Sequence, residues 1–177
     1  MPRRTGFTLI EVMVVVAILA ILAMVAVAQF QKYLERSRNT ATQALLHHLA
    51  LAQMTLKTEP GGQDFLTVDD TVGIASIQRL GDFGFRPDRR VGFAAIPFDG
   101  EEYGAYVLFA AFCQQNAQVF VYNLIPRAGV RPYDPSAVYA TILPATLEAY
   151  DWNGGSVTRV AVLTVDAANG VIVNVVP

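Results

Sequence analysis

The chain has few of the residues that form disulfide frameworks, metal clusters or catalytic dyads. Its 177 residues include one cysteine and two histidines. A single cysteine cannot close an internal disulfide or supply a multi-cysteine metal site. The chain also has no large surplus of either charge: it has 13 lysines and arginines and 15 aspartates and glutamates, which gives a net charge of −2. A general nucleic-acid binder normally carries a basic surplus, so this balance argues against nucleic-acid binding.

What the chain has in excess is one apolar run near its N-terminus. Only Thr8 and Glu11 interrupt the apolar residues between positions 7 and 28. As an α-helix this run would be about 33 Å long, enough to cross a hydrocarbon core of about 30 Å. The rest of the chain has roughly the apolar content of an ordinary globular domain. The composition therefore predicts a folded domain with one membrane-length helix, and it excludes a disordered chain and a multi-span membrane protein.

The predicted helix continues well beyond the apolar run. No helix-breaking residue follows until the Pro-Gly-Gly sequence at 60–62, so one helix is predicted from about Phe7 to about Thr58. Its second half is amphipathic, with leucines and alanines mostly three or four residues apart, at positions 34, 41, 45, 49, 52 and 56. The first half of this helix suits lipid or other apolar helices, and the second half suits one packed face.

The pattern beyond the helix is mainly that of strands. A short helix is predicted around Thr71 to Leu80, with Asp69 and Asp70 as candidate caps. The segment from 126 to 135 is predicted to be an irregular loop, and 136–152 is ambiguous between a short helix and extended chain. Strand-like segments occupy Val91–Phe98, Tyr103–Cys113, Val119–Ile125, Val157–Val165 and Val171–Val176.

These elements predict an α+β fold. A long N-terminal helix, half membrane-like and half amphipathic, packs on a mostly antiparallel sheet of four to five strands. The segments Val157–Val165 and Val171–Val176 form the clearest predicted hairpin.

Glu11 is the anomalous residue of the apolar run. A carboxylate inside a membrane segment costs about 2.5–3.5 kcal/mol on insertion scales. One interpretation is a protonated or snorkelling side chain near the start of the helix. The other is that Glu11 meets a positive partner when the protein works.

Residues 6–23, GFTLIEVMVVVAILAILA, closely resemble the N-terminus of type IV pilins and pseudopilins, and the resemblance extends through QKYLERSR at 31–38. The resemblance implies that an inner-membrane prepilin peptidase cleaves after Gly6 and N-methylates the new N-terminal residue, Phe7. It also implies that Glu11 pairs with the α-amine of Phe7 on a neighbouring subunit. Such a pair would give the buried carboxylate the partner that it needs.

The sequence departs from the family pattern at several positions. Thr5 precedes Gly6 where the family usually has lysine or arginine. Many relatives have a glycine and a proline where this chain has Ala20 and Ala28, so a continuous helix is expected here. The major pilins close a C-terminal loop with two cysteines, whereas this chain has only Cys113.

The resemblance implies four segments. Residues 1–6 are the leader peptide, 7–28 the transmembrane and filament-core helix, 29–58 the amphipathic helix, and 59–177 the β-rich globular head. The implied chain crosses the bacterial inner membrane once, with its N-terminus in the cytoplasm, before it joins an extracellular filament.

The implied function is that of a structural subunit in a type IV pilus-like filament. The expected partners are copies of the same chain, the prepilin peptidase, the pilus assembly platform with its ATPase machinery, and the membrane before assembly. A pseudopilin of a type II secretion system is the alternative within this class.

A secreted or anchored enzyme or binding domain is the alternative of another class, in which the N-terminus serves only for export. Arg3 and Arg4, the apolar run and the small residues 26–28 would then form a conventional secretory signal or, with the arginine pair, a twin-arginine signal. Glu11 and the unbroken helix beyond Ala28 argue against it.

The sequence shows no pattern of an active site, so neither an enzyme nor a resident cofactor is expected. His47 and His48 are adjacent and point about 100° apart on a helix, so they cannot chelate one metal. Cys113 lies in an apolar segment and is interpreted as a small core hydrophobe. Asp151 and Asn153 have the spacing that begins a calcium loop, but no bidentate glutamate follows, and a plain glycine turn is favoured over calcium.

A small basic cluster, Arg86, Arg89 and Arg90, precedes the first strand-like segment. It is interpreted as an exposed loop, with salt bridges between subunits or contact with DNA as the weaker hypotheses.

Overall fold

The computed structural model describes residues 7–61, 64–100, 104–113, 118–125, 127, 129–166 and 171–175. The helices are α1 (Leu9–Thr58) and α2 (Gly73–Asp82), and a 3₁₀ helix spans Val138–Ile142. The strands are β1 (Val91–Gly100), β2 (Gly104–Phe112), β3 (Phe120–Ile125), β4 (Gly129–Pro132), β5 (Thr146–Asn153), β6 (Ser156–Asp166) and β7 (Val171–Val175). The chain divides into two compact units, residues 1–37 and 38–177.

The described part of the first unit is the beginning of α1, and its apolar side chains are exposed. Phe7 and Leu9 are 87% and 78% exposed, and the large apolar side chains up to Val27 are all exposed. An 18-residue window of α1 has a mean hydropathy of 3.0, and none of it is buried. The helix is unbroken through Ala20 and Ala28, as predicted, because alanine is the strongest helix former. It is long and apolar enough to cross a membrane.

The second unit, called the head unit below, is built on an antiparallel sheet. Within the described residues its strand order is β4-β3-β2-β1-β5-β6-β7. Neighbours in the sheet are mostly hairpin partners along the chain, and the exception is the central pairing of β1 with β5, where Phe93 lies opposite Glu148. The predicted hairpin is confirmed by the pairing of β6 with β7, and its connecting residues 167–170 lie outside the described residues.

The α+β class is confirmed, but the predicted count of four to five strands is wrong, since the described residues form seven. Strand β4 lies in the segment predicted to be an irregular loop. It is a four-residue edge strand that ends at Pro132 and pairs only with β3, and an edge tolerates proline. Strand β5 lies in the ambiguous segment. Its Leu-Glu-Ala sequence favours helix locally, and pairing with β1 and β6 overrides that preference.

The amphipathic part of α1 covers one face of this sheet. Four of the positions predicted to face the core are buried, namely Leu45, Leu49, Ala52 and Leu56. The imidazole of His47 meets the ring of Tyr122 on β3 edge to face, with 5.6 Å between the ring centroids. The periodicity of the sequence therefore identified the correct face of the helix.

The opposite face of the sheet is enclosed by the curl of the sheet itself. The side-chain amide of Asn174 on β7 donates to the carbonyl of Cys113, just beyond β2, over 2.8 Å. These strands are separated in the sheet by β1, β5 and β6, so the sheet must be strongly coiled for them to meet. On the same face, Tyr139 of the 3₁₀ helix packs on Phe109 of β2, with their ring centroids 6.2 Å apart.

The connection from α1 to the sheet is held by one side chain. Gln53 is fully buried, its Nε2 donates to the Leu66 carbonyl over 2.7 Å, and its Oε1 accepts from the Leu66 amide over 2.9 Å. Val68 then exchanges two backbone hydrogen bonds with Ala95 of β1. A primary amide pairs in this way with both polar groups of one backbone residue, so Gln53 ties this segment between helix and sheet.

The predicted cap of α2 by Asp69 or Asp70 is wrong, because α2 begins at Gly73 and its N-cap residue, Val72, has no side-chain cap hydrogen bond. Asp69 instead closes the turn before the helix. The Asp69 carboxylate accepts from the hydroxyl and amide of Thr71 and from the amide of Val72. The Thr71 hydroxyl, together with these amides, holds the pKa of Asp69 below its usual range.

We expect Gln53→Ala to lower the free energy of unfolding by about 2 kcal/mol, because it leaves the amide and carbonyl of Leu66 without their partner. The measurement is urea unfolding of the full chain in detergent. It is followed by the fluorescence of Trp152, the single tryptophan, which contacts the core.

Gln78→Ala is the matched control, because Gln78 is an exposed glutamine on α2. Its free energy of unfolding is expected to stay within about 0.5 kcal/mol of the unmodified chain. Equal effects of the two substitutions would contradict the role assigned to Gln53.

Candidate functional site

The first turn of α1 is closed by a reciprocal pair of polar side chains. Thr8 directly precedes the helix, and Glu11 lies three residues later. The Glu11 Oε2 atom accepts from the Thr8 amide and from the Thr8 hydroxyl, each over 2.8 Å. In return, the Glu11 amide donates to the Thr8 hydroxyl oxygen over 3.4 Å. This arrangement is a capping box, which satisfies amide donors that the first turn would otherwise leave free.

Sequence reasoning missed this capping box, although its signal was present. Threonine followed three residues later by glutamate, just before an apolar run, is the signature of a helix start. The box gives Glu11 hydrogen-bond partners within its own chain, which lowers the cost of a carboxylate in an apolar segment. All three hydrogen bonds leave the Oε1 atom of Glu11 uninvolved, and a carboxylate can accept about four. The box therefore leaves capacity for a further donor.

The other predicted residues of this segment lie at the edge of the described chain. Gly6 and the rest of the predicted leader lie outside the described residues, and Phe7 is the first described residue, with an exposed side chain. Cleavage between Gly6 and Phe7, methylation of Phe7 and pairing between Phe7 and Glu11 of different subunits stay predictions.

The histidines and the cysteine of the head unit differ in their exposure to solvent. His47 and His48 are exposed on α1, whereas Cys113 is half-buried after β2, where burial raises the pKa of its thiol. A raised pKa leaves little thiolate at neutral pH, so this cysteine is a poor nucleophile. Among the described residues, no group of three or more histidine, cysteine, aspartate or glutamate side chains could hold a metal ion.

Asp151 and Asn153 lie at the end of β5, opposite Thr158 and Ser156 of β6. Gly154 and Gly155 join the two strands with φ angles of +58° and +103°. A two-residue hairpin turn with both residues in the left-handed region favours glycine at each position. The glycine-turn interpretation is confirmed, and calcium binding by Asp151 and Asn153 stays an untested hypothesis.

The predicted basic cluster is divided by the structure. The guanidinium of Arg86 lies 4.1 Å from the centre of the Trp152 ring and donates to the Gly81 carbonyl over 2.7 Å. Arg90 instead forms a two-bond ion pair with Asp88, and this hydrogen bonding lowers the pKa of Asp88. Arg86 therefore stabilises the contact with α2, while the exposed Arg89 and Arg90 remain at the start of β1.

A buried ionic group that sequence reasoning missed lies between β5, β6 and α2. The Glu148 carboxylate is 6% exposed, accepting from Arg159 over 2.7 Å and from the Tyr150 hydroxyl over 2.5 Å. Burial and the bond to Glu148 raise the pKa of Tyr150. A groove of about 650 Å³ adjoins this group, and Asp70 and Gln78 contribute to its walls.

The contacts of Glu148, Tyr150 and Arg159 are those of a structural ion pair with a bound tyrosine. Each carboxylate oxygen of Glu148 has a donor, and Tyr150 with its raised pKa keeps its proton. Arg159 lies opposite Tyr150 only because a β-bulge after Ala149 shifts the register of β6. No spacing in the sequence reveals such a pairing, because it depends on that bulge.

We expect Arg159→Met to lower the urea midpoint of unfolding, because the substitution leaves the buried Glu148 carboxylate without its cation. Adding Glu148→Gln to this variant should restore most of the midpoint, since the glutamine is uncharged and its carbonyl still accepts from Tyr150. Arg79→Met is the control, because Arg79 forms an exposed ion pair with Asp82 on α2. A midpoint that stays low in the double variant would show that the charge of Glu148 was not the cause.

Comparison with known proteins finds a match at the N-terminus. The family model for the prokaryotic N-terminal methylation motif matches residues 1–27, and this motif is the signature of type IV pilins and pseudopilins. The resemblance of the N-terminal sequence is thereby confirmed. No solved structure matches the chain.

The motif and the exposed apolar helix together support a type IV pilin-like or pseudopilin protein. Chains with this motif are in general cleaved by a prepilin peptidase and assembled into filaments. The motif and a helix of spanning length fit anchoring in the inner membrane before assembly.

Proposed function

We propose that this chain is a structural subunit of a type IV pilus-like extracellular filament, stored in the inner membrane with its N-terminus in the cytoplasm. The observation that carries the proposal is the coincidence of the methylation motif at residues 1–27 with an exposed apolar helix of membrane-spanning length. Exposed apolar surface of this size requires a partner. Lipid supplies it during storage, and the helices of neighbouring subunits supply it in the filament.

Glu11 fixes the register between neighbouring subunits in this assembly. Packing of apolar side chains has little preference for one register, whereas a charge pair fixes the relative position of two helices. In storage the capping box with Thr8 satisfies Glu11 within the chain. In the filament, the methylated amine of Phe7 from a neighbouring subunit adds to the carboxylate, whose Oε1 atom the box does not use.

The head unit serves as the outer, folded part of the subunit, without catalysis and without a cofactor. The buried Glu148 has structural partners at both oxygens, and burial favours the protonated thiol of Cys113. The assembly machinery would be the pilus platform and its ATPase.

A pseudopilin of a type II secretion system is the second candidate, because the methylation motif is common to both kinds of protein. Export of an unrelated enzyme or binding domain is the candidate of another class. It makes a different prediction about the mature N-terminus.

Electron microscopy of material sheared from the cell surface, with mass spectrometry of its N-terminal peptide, tests the proposal. We expect filaments whose subunits begin at N-methylated Phe7. A processed N-terminus without surface filaments would favour the pseudopilin. A soluble protein that begins at Gln29 would overturn the proposal in favour of export alone.

Glu11→Ala and Thr8→Ala separate the two roles of Glu11. Glu11→Ala removes the carboxylate and both hydrogen bonds that it accepts, whereas Thr8→Ala removes only the bonds of the hydroxyl and keeps the carboxylate with its bond from the backbone amide of residue 8. We expect both variants to be cleaved and methylated. Filament yield should collapse for Glu11→Ala and stay near normal for Thr8→Ala, which loses only about 1 kcal/mol of helix capping.

The readouts are the N-terminal peptide mass and the amount of filament in the sheared fraction. Equal loss of filaments in both variants would show that the capping box, and not pairing between subunits, is the role of Glu11. Normal filaments from Glu11→Ala would remove the pairing argument altogether.

A further inference from the structure

Two arginines of the head unit, Arg38 and Arg90, lie against the ring of Phe112. The guanidinium carbons of Arg38 and Arg90 each lie 5.8 Å from the centre of the Phe112 ring. Arg89 is exposed and directly precedes Arg90 in the chain. The structure thus joins a helix residue, Arg38, to part of the basic loop cluster. We call Arg38, Arg89, Arg90 and Phe112 the Phe112 patch.

The patch keeps a positive charge after its internal pairing is counted. Asp88 neutralises part of it, because its carboxylate lies 2.7 Å from an Arg90 nitrogen. The side chain of Arg90 is nevertheless 64% exposed. Three guanidinium groups against one carboxylate leave a net charge of +2, on a chain whose overall charge is −2.

Arg38 follows the last residue of the apolar run, Ala28, by ten positions in the chain. Ten residues of α1 separate Ala28 from Arg38, about 15 Å at the rise of an α-helix. A polar headgroup layer takes up roughly 5–8 Å of that length on each side of a bilayer. The length that remains is about one Debye length, so the chain tethers Arg38 within reach of the field of the headgroups.

We propose that the Phe112 patch binds the anionic phospholipid headgroups of the membrane in which the chain is stored. This inference rests on the proposed membrane-inserted state, and it adds a lipid partner that the methylation motif does not imply. A flat anionic surface meets the patch locally, whereas a long polyanion such as DNA would also meet the acidic remainder of the chain. Binding at the patch would hold the head unit on the membrane until assembly removes it.

The test is site-resolved modification of arginine by phenylglyoxal, read by mass spectrometry. The full chain is inserted in nanodiscs of phosphatidylcholine alone or with phosphatidylglycerol added. We expect Arg38, Arg89 and Arg90 to react about fivefold more slowly in the anionic discs, with the protection lost at high salt. Arg79, exposed on α2, is the internal control and should react equally in both.

A variant carrying Arg89→Gln and Arg90→Gln completes the test, with Arg79→Gln as its matched control. Protection of Arg38 should fall in the double variant only, and Trp152 fluorescence checks that both variants are folded. Equal reaction rates in the two kinds of disc would overturn the proposal.

Other outcomes would assign the patch to a different partner. Equal protection by inorganic phosphate in the zwitterionic discs would show a simple anion site, and protection that rises with the number of chains per disc would show a contact between copies. A chain that fails to co-elute with the discs would instead contradict the membrane-inserted state, and with it the proposed function.

Discussion

The apolar side chains at the start of α1 have no cover within the described part of their own chain. Either lipid or the helices of other subunits can cover them, and the two environments are almost equally apolar. Transfer of the apolar helix from lipid to neighbouring helices therefore does little to fix its position among them. In the proposed filament, the register of the subunits must come from the few polar groups of the segment, and this is the role proposed for Glu11, where a leucine would insert more readily.

The rest of the same helix obeys a different constraint. From Arg38 onward α1 belongs to the head unit, where one stripe of its residues is buried against the sheet. Gln53 then extends this packing to the segment that follows the helix by pairing with Leu66. The head unit is thus stabilised by its own core and hydrogen bonds, so its fold does not depend on which surface covers the apolar run.

The sequence was sufficient for features that depend on local pattern. The length of α1, its buried stripe, α2 and the hairpin of β6 with β7 follow from periodicity and from breaker residues. Strands β4 and β5 were not predicted, because their pairing partners, and not their own residues, make them strands. The Glu148–Arg159 pair was not predicted either, because it also depends on strand pairing, here on a bulge in β6. The Thr8–Glu11 box is different, because its signature is local and was overlooked.

The pairing of Gln53 with Leu66 has a mechanical consequence. In the proposed filament, tension along the long helices would pass in each subunit from α1 into its sheet. The buried leucines hold the helix only as long as water does not reach them. The hydrogen bonds of Gln53, by contrast, link α1 to a segment that is itself bonded to β1 through Val68 and Ala95. Both hydrogen bonds join the same two residues, so they share the force, and the segment after the helix acts as a tether.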